Sequence, residues 1–150
     1  MVAKILHFGW DDCYRVQVLR GAGFAVVESE TLEELCDHLQ RGEPVDAVIL
    51  SEAVPCTIEQ AAAIVRTHCA APMILFRRSL CLVDESAFDL VFAWFIPPPE
   101  WLEKTAELIA QSPASQERKS PAEVTGSAGR NRMAARTLAR RTGTQRAQRS

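Results

Sequence analysis

Several signals that commonly betray a protein's chemistry are missing here. The five cysteines, Cys13, Cys36, Cys56, Cys69 and Cys81, are odd in number, widely spaced and never arranged as C-x-x-C. That excludes a disulfide framework and the common zinc motifs, and a reducing interior is the simpler setting. No run approaches the ~20 apolar residues of a membrane span. The opening MVAKILHFGW holds one Lys and a short apolar run broken by His7, unlike a secretory leader. The chain therefore reads as soluble and cytoplasmic. An excess of one charge is also missing, but only in the sum. The net charge of −2 combines residues 1–112, with 17 Asp/Glu against 8 Lys/Arg and a net −9, and residues 113–150, with 2 against 9 and a net +7. An acidic domain with a basic tail is the expected organisation.

What the chain does have is core-forming composition: 47% hydrophobic and 24% charged over 150 residues, enough for one ordinary domain and wrong for a disordered chain or a fibre. Within residues 1–112 short apolar runs alternate with amphipathic stretches, the pattern of strands and helices in turn. Lys4 to Phe8 predicts a first strand ended by Gly9. Asp11 to Arg20 predicts a helix packed through Tyr14, Val18 and Leu19, with Arg15 and Arg20 outside, and Gly21-Ala22-Gly23 stops it. Phe24 to Val27 predicts the second strand. Thr31 and Glu34 form a capping box for a helix packed through Leu32, Leu35, Cys36 and Leu39, closed by Gly42 and Pro44.

Val45 to Leu50, apolar apart from Asp46, predicts a strand covered on both faces and central in its sheet. Thr57 to Cys69 predicts a helix capped by Thr57, with Ile58, Ala61, Ala62 and Val65 inward. Ala71 to Phe76 predicts the fourth strand and Leu90 to Phe95 the fifth, while Arg77 to Ser86 is too short and irregular for a full helix. Pro97-Pro98-Pro99 precedes a last helix, Glu100 to Ala110, with Trp101, Leu102, Ala106, Leu108 and Ile109 available for packing. Some five βα units with right-handed crossovers give an α/β fold, a parallel sheet between two layers of helices. Residues 113–150 carry Ser, Pro, Gly and scattered Arg, with Val124, Met133 and Leu138 the only sizeable apolar side chains. Such a segment cannot bury enough surface to offset its chain entropy, so a disordered Arg-rich tail is expected.

In an open parallel sheet the chemistry sits at the carboxyl ends of the strands. Those ends read Gly9-Trp10-Asp11-Asp12, Ser51-Glu52, Arg77-Arg78 and, beyond the fifth strand, Pro97. The segment PVDAVILSEAVP, Pro44 to Pro55, resembles the central strand of response-regulator receiver domains, a P-x-D-x-hydrophobic run that ends in the phosphorylated Asp and keeps a proline four residues further on. KILHFGWDD, GFAVVESETLEELCDHL and APMILF extend the likeness over roughly residues 3 to 110. The resemblance implies a flavodoxin-like three-layer sandwich, chemotaxis-regulator-like, with five parallel strands in the order 2-1-3-4-5. It also implies a place in bacterial two-component or phosphorelay signal transduction.

The family's reactive positions are altered throughout. Ser51 stands at the phosphoacceptor position. Gly9 and Trp10 fall where two carboxylates hold a divalent cation, with only Asp11 matching an acid that sometimes follows. Arg77 replaces the switch Thr or Ser, and Pro97 replaces the Lys that precedes a proline, matched by Pro98. One carboxylate and a hydroxyl hold Mg²⁺ poorly, and a Ser without a base beside it is a weak nucleophile. What the resemblance then implies is a pseudo-receiver: not an enzyme, with no cofactor and no metal, acting by protein contact.

Around that pocket each residue has a plain reading beside the sharper one. Asp11-Asp12 is a residual metal pair or a favourable charge at a helix N-terminus. Arg77-Arg78 neutralises Asp11 or Glu52, or is a solvated pair. His7, His38, His68, Cys36 and Cys69 are too scattered for ligation and suit packing or surface roles. Trp94, Phe95 and Trp101 suit a contact face or the core. Arg130, Arg132, Arg136, Arg140 and Arg141 could hold an anion, yet the tail has no aromatic interleaving, so a solubilising or docked tail competes with a nucleic-acid arm. The partner classes are thus a signalling protein, a second copy of the chain, or nucleic acid through the tail; no membrane is expected. The alternative function is a small-ligand or enzymatic α/β domain using the Ser51/Arg77 crevice, which neither a Gly-rich phosphate loop nor a nucleophile elbow accompanies.

Overall fold

The structure, a computed structural model, describes residues 2–11, 13–52, 57–78, 82–113 and 116. Asp12, Pro55 and the tail residues Arg130, Arg132, Arg136, Arg140 and Arg141 lie outside the described residues. The chain divides into two units, residues 1–115 and 116–150, and every element below belongs to the first.

Five strands, β1 (Lys4–Phe8), β2 (Ala25–Ser29), β3 (Ala47–Ser51), β4 (Met73–Arg77) and β5 (Leu90–Ala93), pair in parallel in the order β2-β1-β3-β4-β5. Among the described residues four helices accompany them: α1 (Arg15–Gly21), α2 (Leu32–Gln40), α3 (Ile58–His68) and α4 (Pro98–Gln111). This is the expected flavodoxin-like sandwich. Because side chains alternate across a strand, Leu6, Val48 and Leu50 pack with Leu35 and Val65 on one face of the sheet, while Ile5, Ile49 and Phe76 pack with Leu19 and Trp101 on the other. All five residues of β3 are buried, as its apolar run requires.

Two carboxylates, the buried Asp46 and the exposed Asp89, anchor the opposite end of the sheet from the site. Asp46, the acid in the third apolar run, accepts from the Lys4 backbone N–H at 2.7 Å, and Asp89 accepts from that of Met73 at 2.8 Å. Each acid just ahead of one strand thereby satisfies the first N–H of its neighbour, which would otherwise lack a partner.

The hydroxyl half of the α2 capping box forms, with Thr31 Oγ1 accepting from the Glu34 N–H at 3.1 Å, while the Glu34 carboxylate accepts from the N–H of Glu30, one residue ahead of the cap, at 2.8 Å. Four expectations are corrected. The first helix begins at Arg15, not Asp11, because Asp11 stays outside it and accepts from the N–H groups of Arg15 and Val16 at 2.6 and 2.9 Å. Its packed face therefore contains Arg15, Val16 and Leu19, while Tyr14, in the left-handed region at φ 56°, is exposed. Thr57 precedes α3 without a side-chain cap bond. Between β4 and β5 the described residues form only a 3-10 turn, Glu85–Ala87, capped by Asp84, in keeping with the expectation of no full helix over that stretch. In α4 it is Thr105, and not Ala106, that is buried beside Trp101 and Ile109.

Candidate functional site

At the carboxyl ends of β1 and β3 the chain closes on itself. Gly9 has φ +106°, and a Cβ placed on it would meet the Ser51 carbonyl oxygen at 2.6 Å. A side chain is excluded there twice over, by backbone conformation and by contact with backbone that cannot yield. The Ser51 side chain is 0% exposed and its Oγ lies 3.1 Å from Nε2 of His7, itself 1% exposed. Burial pushes the His7 imidazole down from 6.5 to about 4; Arg15 adds to this, and Asp11 and Glu28 oppose it. His7 is therefore neutral at pH 7, and the pair is a neutral hydrogen bond.

Trp10 is exposed, so the second of the family's carboxylate positions points a large indole at solvent. Asp11, the one acid in register, spends its carboxylate on the two N–H groups that open α1. Glu52, fully buried, accepts from the Arg78 backbone N–H at 2.6 Å. Arg77 pairs with Glu85, and Pro97 is the residue from which α4 starts. A divalent cation needs several hard oxygen ligands free to converge on it. The donor set among the described residues does not fit one, since Gly9 offers no side chain, Asp11 caps a helix and Ser51 is turned to His7. Among the described residues no three His, Cys, Asp or Glu side chains could hold a metal.

Arg15 fills the space between this pocket and the fifth strand. It is 2% exposed, its guanidinium lies 4.1 Å from the ring centroids of both Phe76 and Trp94, and its Nη2 donates to the Trp94 carbonyl oxygen at 2.7 Å. Arg78 also lies over Trp94, at 4.3 Å. One cation thus ties the start of α1 to the ends of β4 and β5 through planar stacking and a charge-assisted bond.

The structure brings Gly9, Asp11, Ser51 and Arg77 to the same edge of the sheet, as their strands place them. It corrects the aromatic face: Trp94 and Trp101 are core residues, Trp94 under the Arg15 stack and Trp101 edge-on to Phe76 at 5.4 Å, and only Phe95, 84% exposed, faces solvent. Sequence reasoning missed two members of the site, His7 and Arg15. The two-residue spacing of Ile5 and His7, which puts both on one face of β1, was the available signal for the first. A Ser beside a His has the composition of a nucleophile and its base, but a substrate cannot reach a pair this buried.

No protein-family model matches this chain, and no curated protein matches it significantly. Solved structures do. The chain is similar to the chemotaxis protein CheY4 of Vibrio cholerae at 15% identity and TM-score 0.59, over 72% of this chain and 99% of that one. It is similar to a response regulator receiver protein from Burkholderia phymatum at 17% and 0.57, over 73% and 97%. An adenylate cyclase from Rhodopirellula baltica aligns at 12% and 0.63, over 79% and 96%. The fold is that of response-regulator receiver domains. At these identities the likeness concerns the fold alone and carries none of the neighbours' chemistry.

Proposed function

We propose that this chain is a pseudo-receiver: a cytoplasmic receiver-fold module of bacterial two-component or phosphorelay signalling that works by contact with a signalling protein and not by phosphoryl transfer. The observation that carries the reading is the state of the Ser51 position. Its hydroxyl is buried against a neutral His7, and the backbone beside it occupies the space that a side chain at position 9 would need. An acceptor in this place is shut off from a phosphodonor, and among the described residues the cation that would neutralise the transferred group has no ligand set.

Incubating the purified chain with ³²P-labelled acetyl phosphate and Mg²⁺ tests the reading. No incorporation above a no-Mg²⁺ control is expected. Mg²⁺-dependent, stoichiometric labelling would overturn it.

A further inference from the structure

The βα alternation leaves one flank of the domain less covered than the others. In the crossover from β4 to β5, residues 78–89, the described residues hold only the 3-10 turn, and none of them forms a full helix over the adjoining side of α3. A groove of about 260 Å³ lies there, floored by Ala62, Ala63, Val83, Ala87 and Phe88. Next to Val83 in the chain, Leu82 is 93% exposed.

The size of the groove decides what it suits. Clefts for cofactors and drug-sized ligands run from ~300 to 1,000 Å³ and carry polar groups that orient the ligand. This one holds roughly nine water volumes at ~30 Å³ each, about the space of two aliphatic side chains, over a floor of alanine, valine and phenylalanine. Its charges set the sign of the occupant. Arg66 is committed, donating from Nη2 to the Ala87 carbonyl oxygen at 2.7 Å and lying 3.6 Å from the Asp89 carboxylate. Glu59, in the exposed first turn of α3, and Asp84, at the head of the turn, leave the lining acidic.

We propose that this groove docks an amphipathic helix of a partner protein that presents two apolar side chains one turn apart, flanked by Lys or Arg. The apolar pair would seat on the floor of alanine, valine and phenylalanine, and the basic flank would face Glu59 and Asp84. The proposal rests on the reading of the domain as operating by contact, and adds where the contact is made and with what chemistry.

The probe is a fluorescein-labelled helical peptide with Leu at i and i+4 and Lys on either side, titrated into the full chain by fluorescence polarisation. Saturable binding that weakens with added salt is expected. It should fall at least tenfold with Ala63→Trp, which fills the groove from an exposed position, and with Glu59→Lys, and likewise when Glu replaces the peptide's Lys. Circular dichroism of both variants checks that they fold. No saturable binding, equal affinity for the Ala63→Trp chain, or tighter binding of the Glu-flanked peptide overturns the proposal. So does a change in the chain's own sedimentation on Ala63→Trp, which would make the occupant a second copy. Phosphate labelling on the same preparations is read separately: labelling overturns the pseudo-receiver reading and leaves the peptide result standing, while absent peptide binding without labelling overturns the groove alone.

Discussion

A guanidinium buried to the extent of Arg15 must recover its lost hydration from its contacts, and here it does so from two rings and one carbonyl oxygen. Lys keeps the charge but not the plane. Arg15→Lys is therefore expected to lower stability by about 2 kcal/mol, read from urea denaturation followed by tryptophan fluorescence; an unchanged midpoint would count against the stack. His7 predicts a pH dependence. Its folded value of about 4 lies below its ordinary 6.5, so between those two pH values the unfolded chain binds the extra proton. Stability is then full above pH 6.5 and declines by roughly 3 kcal/mol as the pH falls to 4. His7→Gln should flatten that slope by about one proton; a wild-type slope retained in the variant would place the proton elsewhere. Gly9→Asp, which restores the acid that the family resemblance calls for, is expected to bind no Mg²⁺ in calorimetry and to cost more than ~2 kcal/mol, from φ strain plus the approach to Ser51.

The helices differ in how they are held at their N-termini, and two threonines make the difference measurable. Thr31 caps α2 through its hydroxyl whereas Thr57 makes no such bond ahead of α3. Thr31→Ala should cost about 1 kcal/mol in thermal or chemical unfolding, and Thr57→Ala should cost only a few tenths; equal losses would refute the contrast. The same elements mark how far the sequence could be read. Strands β1 to β5 and helices α2, α3 and α4 were legible because apolar periodicity and Gly or Pro punctuation agree there, while the strand order followed from the family resemblance and not from the pattern. The start of α1 was not, because its inward face includes an arginine and its cap is a carboxylate four residues upstream. In the site, Gly9, Asp11, Ser51 and Arg77 could be placed from strand ends alone. The His7–Ser51 bond could not, since it depends on the register that sets β1 beside β3, and the choice between contact face and core stayed open for Trp94 because the cation that covers it comes from a residue 79 positions away.

The charge split between residues 1–112 and 113–150 yields a prediction for the chain as a whole. Any affinity for duplex DNA should fall steeply with salt, and replacing Arg130, Arg132, Arg136, Arg140 and Arg141 by Ala should remove most of it and reduce the salt slope. Salt-insensitive binding, or binding untouched by the five substitutions, would locate it elsewhere. No helix among the described residues is long and apolar enough to cross a membrane. The sheet itself has two open margins, β2 and β5, and an open margin is a template on which further chains can stack. The β5 margin spans four residues. It ends in the turn in which Ile96 donates to Ala93, and three prolines follow it, none with an N–H to donate. Filament growth from that side is starved of hydrogen-bond donors almost as soon as it begins, so this margin keeps little capacity for runaway polymerisation.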